Sequence, residues 1–363
     1  MSTTLNRNPN ALLKDAATTI DFNNDGKADI FWRNQNGQNG IWLMSDTKPN
    51  YYTSAEFVQT VPTGWNYSIG DFDGNGKTDL FWRNEDTGQS AIWLMNGTTI
   101  TSPVVLPQTL SSDWKASIAD INGNGKSDIF WRNSVTGENS VWLIDGTNVT
   151  PQTPELPLAK EWNPIFADFN KDGKADIFWH KGSTGENSVW LNGDNGFANP
   201  VSLPSLTGTD WDYSIADFNG DGKTDILSRN SQTGEINIRL MDGITITNQN
   251  QTSLPTKVPA AWDANIGDFD GNGKTDIFWR NTVTGDNAIW LMDGNKYIDT
   301  GVLPNVPVAW SAGVADFNND NDGKSDIFWR NTVTGENAVW LMNGTTYSDA
   351  AFLATVPTSW SPA

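Results

Sequence analysis

One acidic segment recurs along the chain at almost constant spacing. Its first aspartate occurs seven times, 48 to 51 residues apart, at Asp21, Asp71, Asp120, Asp168, Asp217, Asp268 and Asp316. A period near 50 residues predicts a repeat architecture, because each unit buries its apolar face only by stacking on its neighbours. The 363 residues therefore form either a solenoid or a propeller of seven similar units.

Each copy contains four short segments with the composition of β-strands. In the second copy these are WNYSIGDF, DLFWRN, SAIWLMN and GTTITSPVVLP, separated by the acidic segment and by turns rich in Gly, Asn and Asp. No stretch has a sustained helical period. Four strands correspond to one propeller blade, so the sequence predicts an all-β, seven-bladed β-propeller with four antiparallel strands per blade.

The residue before the first loop aspartate is small in six of the copies. An innermost strand that is crowded around a central channel requires small side chains at this position, and Ile20 in the first copy is the exception. The six small residues are Gly70, Ala119, Ala167, Ala216, Gly267 and Ala315.

The two ends of the chain indicate how the ring closes. A tryptophan lies six residues before the loop aspartate in copies two to seven, whereas Asp15 occupies this position in copy one. The missing tryptophan is Trp360, which stands where an eighth copy would begin, so we expect the tail 356–363 to complete the first blade. The chain then divides into an N-terminal extension, 1–15, and a single propeller, 16–363, with blades that begin near residues 16, 65, 114, 162, 211, 262 and 310.

The acidic segment follows the frame D-x-[DN]-x-[DN]-G-K-x-D. Side-chain oxygens stand at positions 1, 3, 5 and 9, position 7 offers its backbone carbonyl, and the glycine at position 6 allows a sharp turn. Ca²⁺ loops supply oxygen ligands from alternating positions in this way. The alternative interpretation is a set of Asx turns, in which the carboxylates accept hydrogen bonds from backbone N–H groups.

The sequence predicts up to seven Ca²⁺ ions, one per blade. The predicted ligands are Asp21, Asn23, Asp25, Lys27, Asp29, Asp71, Asp73, Asn75, Lys77, Asp79, Asp120, Asn122, Asn124, Lys126, Asp128, Asp168, Asn170, Asp172, Lys174, Asp176, Asp217, Asn219, Asp221, Lys223, Asp225, Asp268, Asp270, Asn272, Lys274, Asp276, Asp316, Asn318, Asp320, Asp322 and Asp326. The seventh loop, DFNNDNDGKSD, carries two additional residues, so either Asp316 or Asn318 acts as its position 1.

These loops hold close to half of the 43 Asp and Glu residues in a chain whose formal net charge is −20. Without metal, each loop would concentrate like charges and destabilise the compact state. The charge balance therefore favours cation binding.

The stretches DFDGNGKTDLFW, DFNKDGKADIFW and DFNGDGKTDILS resemble the FG-GAP and VCBS-type repeats of integrin α-subunit propellers and of many bacterial surface proteins. The resemblance covers all seven copies, roughly residues 16 to 363, although FWRN replaces the Gly-Ala-Pro segment of the family. It implies a seven-bladed propeller with Ca²⁺ in the loops between the first and second strands of each blade. Propellers of this kind also include fungal lectins that bind sugars between blades.

Two classes of tryptophan recur once per copy, in the second and third strands, and an arginine follows the first class. Copy five replaces both tryptophans, with Ser228 and Arg239. Packing between blades, with cation–π contacts to arginine, is one interpretation, and stacking on a sugar is the other. The candidate ligand-binding residues are Trp32, Arg33, Trp42, Trp82, Arg83, Trp93, Trp131, Arg132, Trp142, Trp179, His180, Trp190, Trp279, Arg280, Trp290, Trp329, Arg330 and Trp340.

Catalytic chemistry has weak support in this sequence. The chain has no cysteine and a single histidine, His180, which with Lys181 replaces Arg-Asn in copy four. A surface variation at a permissive hairpin explains this exchange better than a general base does, because no Ser-His-Asp or zinc spacing accompanies it. We therefore expect no enzymatic activity.

Composition also limits the classes of binding partner that the chain is expected to have. Strong negative charge argues against nucleic acid, and no apolar run approaches the roughly 20 residues of a membrane span. We expect a monomeric, calcium-binding recognition module, extracellular or at a cell surface, although the N-terminus lacks the apolar core of a signal peptide. A lectin-like, glycan-binding role is favoured, and the alternative is a protein-binding or architectural module of a surface assembly, whose partner is a cell-surface protein.

Overall fold

The computed structural model describes residues 20–45, 51–152, 158–181, 184–193, 196–249, 253–318 and 322–362. The predicted extension 1–15 and the predicted start of the first blade near residue 16 lie outside these ranges. Throughout the described ranges the regular secondary structure consists of β-strands, and none of it is helical.

The strands form seven antiparallel blades, which confirms the predicted fold. Blade one contains Trp360–Pro362, Ile30–Asn34, Asn39–Met44 and Tyr52–Val58. Blade two contains Trp65–Gly70, Asp79–Asn84, Ser90–Asn96 and Thr99–Val105, and blade three contains Trp114–Ala119, Asp128–Asn133, Asn139–Asp145 and Asn148–Pro151. Blade four contains Asn163–Ala167, Asp176–Lys181, Glu186–Gly193 and Gly196–Leu203.

Blade five differs from the others because its outer part is interrupted. A three-stranded sheet of Trp211–Ala216, Asp225–Asn230 and Ile236–Arg239 is followed by a two-stranded sheet of Met241–Asp242 and Thr245–Ile246. Blade six contains Trp262–Gly267, Asp276–Asn281, Asn287–Met292 and Tyr297–Leu303, and blade seven contains Trp310–Ala315, Asp326–Asn331, Asn337–Asn343 and Thr346–Leu353.

The C-terminal strand closes the ring, as the position of Trp360 predicted. It pairs with the second strand of blade one, where Trp360 lies opposite Asn34 and Pro362 lies opposite Trp32. Residues from the two ends of the chain therefore share one sheet. A closed ring of this kind leaves no blade with an uncovered face.

The first strand of each blade is the innermost one, and crowding there explains its small last residue. A Cβ atom on Gly70 would lie only 2.7 Å from the Ser127 hydroxyl and 2.9 Å from Ile118, both in the next blade. Gly267 faces the equivalent residues Ser325 and Val314 at 2.7 Å. The apolar core lies in the contacts between successive blades, and each seam buries one cluster of aliphatic and aromatic side chains.

Candidate metal loops and ligand surface

The loop of blade two illustrates how the acidic frame folds. The carboxylate of Asp71 accepts hydrogen bonds from the backbone N–H groups of Gly74, Asn75 and Gly76 at 2.7–3.1 Å. Gly76 has a φ of 78°, a left-handed conformation that side chains rarely adopt. Asp79, at position 9, accepts from Phe72 N–H at 2.8 Å and from Met95 N–H at 2.7 Å. The loop is thereby tied to the second and third strands.

Carboxylates converge at the base of this loop. One carboxylate oxygen each from Asp71, Asp73 and Asp79 lies within 4.8 Å of the other two. The same arrangement recurs in blade six with Asp268, Asp270 and Asp276. These are the two loops with aspartate at position 3, and each provides three anionic oxygen donors of the kind that Ca²⁺ prefers.

The position 9 carboxyl is buried in every loop. Burial raises the pKa of Asp79 to about 7, although the two N–H donors oppose the rise, and the charges of Asp73 and Asp71 add to it. The pKa is raised in the same way to about 7 for Asp29, Asp225 and Asp276, to about 6 for Asp128 and Asp176, and to about 8 for Asp326. Burial therefore disfavours the carboxylate form of these residues, and a cation in the loop would stabilise it.

The other predicted ligands occupy distinct places in the loop. Position 3 is partly buried and position 5 is exposed in the first six loops. In loops two, three, five and six the lysine ammonium at position 7 contacts a polar side chain at the end of the third strand or just after it, such as Asn96 for Lys77 and Asp242 for Lys223, each at 2.6 Å. Lys77, Lys126, Lys223 and Lys274 therefore neutralise charge outside the loop. Lys27 and Lys324 instead pair with an aspartate of their own loop, Asp25 at 3.6 Å and Asp322 at 2.8 Å.

In the seventh loop, Asp316, Asn318, Asp322 and Asp326 are described and Asp320 lies outside the described residues. Asp326 keeps the position 9 role, since its carboxylate accepts from Phe317 N–H at 3.1 Å and from Met342 N–H at 2.9 Å.

The seven loops are joined into a ring by backbone hydrogen bonds. The N–H group at position 8 of each loop donates to the carbonyl of the position 1 aspartate in the preceding blade. The bonds are 2.5–3.1 Å long and run from Thr78 to Asp21, Ser127 to Asp71, Ala175 to Asp120, Thr224 to Asp168, Thr275 to Asp217, Ser325 to Asp268 and Ala28 to Asp316. Each position 1 aspartate therefore belongs both to its own loop and to the contact with the next one.

The tryptophans of the second strand are packing residues. Trp32, Trp82, Trp131, Trp179, Trp279 and Trp329 are at most 2% exposed. Each lies beneath the guanidinium of the preceding blade, for example Arg83 at 4.9 Å from the centre of the Trp131 ring. The hypothesis that these six indoles stack on a sugar is corrected, because both faces are covered by protein.

The arginines are also engaged within the protein. Arg280 donates from Nη2 to the backbone carbonyls of Val306, Pro307 and Trp310 at 2.7–3.2 Å, and from Nη1 to Asn287 at 2.9 Å. Arg33, Arg83, Arg132 and Arg330 make equivalent bonds to the segment that leads into the next blade. Their predicted role as donors to a ligand is corrected accordingly: each arginine fastens one blade to the next.

The tryptophans of the third strand are more varied. Trp42, Trp93, Trp142 and Trp190 are buried, whereas Trp290 and Trp340 are partly exposed. Trp340 stacks on Tyr347 with ring centres 4.9 Å apart, and Trp42 stacks on Tyr52 at the same separation. Ligand stacking by the four buried indoles is corrected for the same reason as for the second strand.

His180 lies in the seam between blades four and five. Its ring is 5.0 Å from that of Tyr213 and 6.1 Å from that of Phe178. Burial lowers its pKa to about 4, so the imidazole is neutral at physiological pH. The interpretation of His180 as a surface variation at a hairpin is therefore wrong, whereas Lys181 beside it forms an ion pair with Glu186 at 3.4 Å.

Sequence reasoning missed a third set of tryptophans as candidate ligand residues. They lie at the start of the innermost strands, or directly before the strand in the case of Trp162, and Trp65, Trp114, Trp162, Trp262, Trp310 and Trp360 are all partly exposed. Trp360 lies 3.7 Å from the position that a Cβ atom would take on Gly40, and its ring centre is 5.6 Å from that of Phe57. The ring centres of Trp310 and Phe352 are likewise 6.3 Å apart.

We call these two pairs, Trp360 with Phe57 in blade one and Trp310 with Phe352 in blade seven, the aromatic ledge. Phe57 is 76% exposed and Phe352 is 73% exposed, so the ledge offers open ring faces. The sequence contains a signal for the aromatic ledge. A small third-strand residue, Gly40 or Ala338, lies opposite the apolar fourth-strand residue and leaves room for the tryptophan of the first strand.

The described residues hold no helix of the length and apolarity that crossing a membrane requires. No similar sequence was found among curated proteins.

Several solved structures share the fold. A lectin of Agrocybe aegerita, described as specifically recognising non-reducing terminal N-acetylglucosamine, is 17% identical with a TM-score of 0.70, over 94% of this chain and 96% of that one. Hsv2 of Kluyveromyces lactis is 9% identical with a TM-score of 0.53, over 88% and 91%. The β-propeller domain of Myceliophteria thermophila Cps50 (Swd1) is 12% identical with a TM-score of 0.52, over 89% and 95%.

The sequence itself matches one family of repeats. The FG-GAP-like repeat model matches at residues 21–82, 71–131, 120–179, 168–228 and 217–279, overlapping segments that together span well over half of the chain. Each matched segment runs from one acidic loop into the second strand of the next blade, so it covers the contacts that join neighbouring blades. The chain therefore belongs to the FG-GAP-like repeat family.

Proposed function

We propose that this protein is a non-catalytic recognition propeller that holds Ca²⁺ in its loops and binds glycans on the aromatic ledge. The observation that carries the proposal is the ledge itself, where an exposed phenylalanine and a partly exposed tryptophan lie side by side at Phe57 and Trp360 and again at Phe352 and Trp310. Exposed aromatic faces with polar groups nearby provide stacking area and orientation for a small ligand.

The donor set of the loops fits a hard cation. Asp71, Asp73 and Asp79 provide three converging carboxylates, and Lys77 provides a backbone carbonyl. Seven Ca²⁺ ions would offset 14 of the 20 net negative charges. When bound, the ion supplies positive charge that stabilises the ionised form of the buried position 9 aspartate.

The geometry favours glycan stacking at the ledge over the seams. The seam indoles are covered by arginine, whereas the ledge is open to solvent. The shared fold of the Agrocybe aegerita lectin supports the proposal that this propeller binds glycans. An extracellular or cell-surface location agrees with calcium loops of modest charge, because such loops fill where calcium is abundant.

One observation favours a second candidate, a protein partner. Large apolar side chains project from the outermost strands, with Val302 88% exposed and Val105 69% exposed. An open edge strand with apolar side chains is suited to contact another protein chain. The partner would then be a cell-surface protein, as in the architectural alternative.

A glycan array separates the two candidates, with calcium and with chelator. We expect glycan binding in calcium, loss of binding for the double variant Trp310→Ala with Phe352→Ser, and retained binding for the control Ile298→Ser, which removes an exposed apolar side chain away from the ledge. Absence of glycan binding in excess calcium contradicts the lectin proposal and leaves the protein-binding candidate. A melting temperature unchanged by chelator, with metal analysis confirming removal, contradicts the calcium proposal.

A further inference from the structure

The seam between blades four and five departs from the other six. In the regular seams an arginine from one blade covers a tryptophan of the next at 4.8–5.6 Å. In this seam His180 replaces the arginine and Ser228 replaces the tryptophan, while Arg239 replaces the third-strand tryptophan. Three positions that interact elsewhere have therefore changed together.

The exchange leaves buried polar atoms without hydrogen-bond partners. In regular blades the arginine donates from Nη1 to an asparagine on the third strand, such as Arg132 to Asn139 at 2.9 Å. In blade four the equivalent oxygen, Asn187 Oδ1, receives no hydrogen bond of regular geometry, and the Asn187 side chain lies near the Tyr213 hydroxyl. Tyr213 Oη makes no hydrogen bond of regular geometry, and among the described residues the only side chain near enough to interact with it in this way is Asn187. His180 Nδ1, Ser228 Oγ and Arg239 Nη1 are also buried without a partner. Regular seams leave mainly an indole N–H group in this state.

These atoms belong to one site. His180 lies directly opposite Asn187 in the sheet of blade four, and Tyr213 lies directly opposite Ser228 in the sheet of blade five. The rings of His180 and Tyr213 are 5.0 Å apart across the seam. The side chains of His180 and Tyr213 therefore face each other from adjacent blades, and Arg239 lies near enough to Tyr213 for the ionisation of the two groups to be coupled.

Arg239 determines the kind of ligand. The residue is 3% exposed, and its Nη2 donates to the Pro204 carbonyl at 2.5 Å. Among the residues that the structure describes, no carboxylate lies within 4 Å of its guanidinium. A buried cation without a counter-charge is unfavourable, and arginine pairs best with planar carboxylates. The site is therefore suited to an anion.

An open groove lies beside this site, toward the outer edge of the same seam. It has a volume of about 290 Å³ and is lined by residues 201–204 of blade four and by residues 244–246 and 249 of blade five. Leu203 lies opposite Asn187, and the Pro204 carbonyl is the acceptor for Arg239, so the groove adjoins the polar cluster. The interrupted outer part of blade five provides one wall of this groove.

We propose that the seam between blades four and five binds a small carboxylate, with Arg239 as its charge partner. Ser228 and Tyr213 donate their hydroxyl hydrogens to the carboxylate, and Asn187 accepts from a hydroxyl group of the ligand. The source is either a free hydroxy acid or a uronic acid at the end of a glycan, since both combine a carboxylate with neighbouring hydroxyls. This site is separate from the aromatic ledge and does not depend on it.

Calorimetric titration of the whole chain in excess calcium tests the proposal. The probes are lactate, methyl glucuronide and the uncharged methyl glucoside, at matched ionic strength. We expect one of the two carboxylates to bind in a 1:1 ratio, and Arg239→Gln to weaken this binding by about tenfold or more, because a hydrogen bond to a charged group is lost. Binding of lactate alone indicates a free acid, and binding of the glucuronide alone indicates a glycan end.

A triple variant provides the matched control for folding. His180→Arg with Ser228→Trp and Arg239→Trp rebuilds the regular seam, so it is expected to melt at or above the wild-type temperature and to bind neither carboxylate. The proposal is overturned if neither carboxylate binds the wild type at millimolar concentration, if the triple variant binds as the wild type does, or if the glucoside binds as tightly as the glucuronide. These outcomes are independent of the ledge, whose variant Trp310→Ala with Phe352→Ser retains carboxylate binding.

Discussion

Removing the C-terminal strand should open the propeller at one defined seam. The strand Trp360–Pro362 is the innermost strand of blade one and pairs with Ile30–Asn34. Arg330 Nη2 donates to the carbonyls of Pro357 and Trp360 at 2.9 and 3.1 Å, and its guanidinium lies 5.0 Å from the centre of the Trp32 ring. Deletion of residues 357–363 removes the strand pairing and both of these carbonyl acceptors of Arg330, whereas the contact of Arg330 with Trp32 involves no deleted residue.

The expected loss is large relative to the stability of a folded domain. The strand bonds contribute about 0.5–1.5 kcal/mol each, and leaving a buried donor such as Arg330 unsatisfied costs about 1–3 kcal/mol. Loss of the partly buried Trp360, which also contacts Phe57, adds part of the roughly 3–5 kcal/mol of a fully buried tryptophan. The total, at least about 5 kcal/mol, approaches the whole stability of a typical domain.

Urea denaturation of the deletion variant measures this loss, and a synthetic peptide of residues 354–363 supplies a test of mechanism. We expect the truncated protein to unfold at much lower urea concentration and the added peptide to restore part of its stability in a concentration-dependent way, because binding to the native state stabilises it. The variant Trp360→Phe, which keeps the strand, should lose less stability than the deletion variant. A truncated protein as stable as the full chain would refute the assignment of this strand as the closure of the ring.

Three further predictions concern the loops and seams. Loop three has only Asp120 and Asp128 as carboxylates, so the variant Asn124→Asp should bind calcium more tightly at one site, as measured by calorimetry. An unchanged isotherm would contradict the ligand role of position 5. The folded pKa of a position 9 carboxyl is raised, for example from 3.8 to about 7 for Asp79. In chelator, the stability that its protonated form contributes is therefore complete below about pH 4 and is lost as pH rises through about 7. The chelated protein should therefore have a higher melting temperature at pH 5 than at pH 8, and excess calcium should raise the melting temperature most at pH 8. A higher melting temperature of the chelated protein at pH 8 would contradict the role of the buried position 9 carboxyls. Trp131→Ala should cost about 3–5 kcal/mol in urea, far more than the partly exposed Trp65→Ala, and equal losses would refute the packing role of the seam indoles.

Burial of the recurrent tryptophans shows where sequence reasoning reached its limit. A ring that recurs once per blade is compatible with both a seam and a ligand surface, because the repeat period is identical for the two. Trp82 and Trp65 belong to the same blade, yet Trp82 is 1% exposed beneath Arg33 and Trp65 is partly exposed. Only the packing of the preceding blade distinguishes them.

The contacts between loops were also beyond the sequence. The bond from Thr78 N–H to the Asp21 carbonyl joins backbone groups 57 residues apart, and backbone groups carry no residue-specific signal. The same holds for the carbonyls that accept from the arginines. In contrast, the exchange at Ser228 and Arg239 was visible as a break in the repeat, although its partner His180, in the preceding copy, was identified as a seam residue only by the structure.

The sequence by itself determined the repeat period, the strands, the acidic loops and the closure by Trp360, because each of these is encoded locally and then repeated. The structure decided which aromatic rings are buried, which carbonyls the arginines bind, and that blade five is split beside an unmatched polar seam. These features depend on how one blade packs against the next, and such contacts form between residues that lie far apart in the chain.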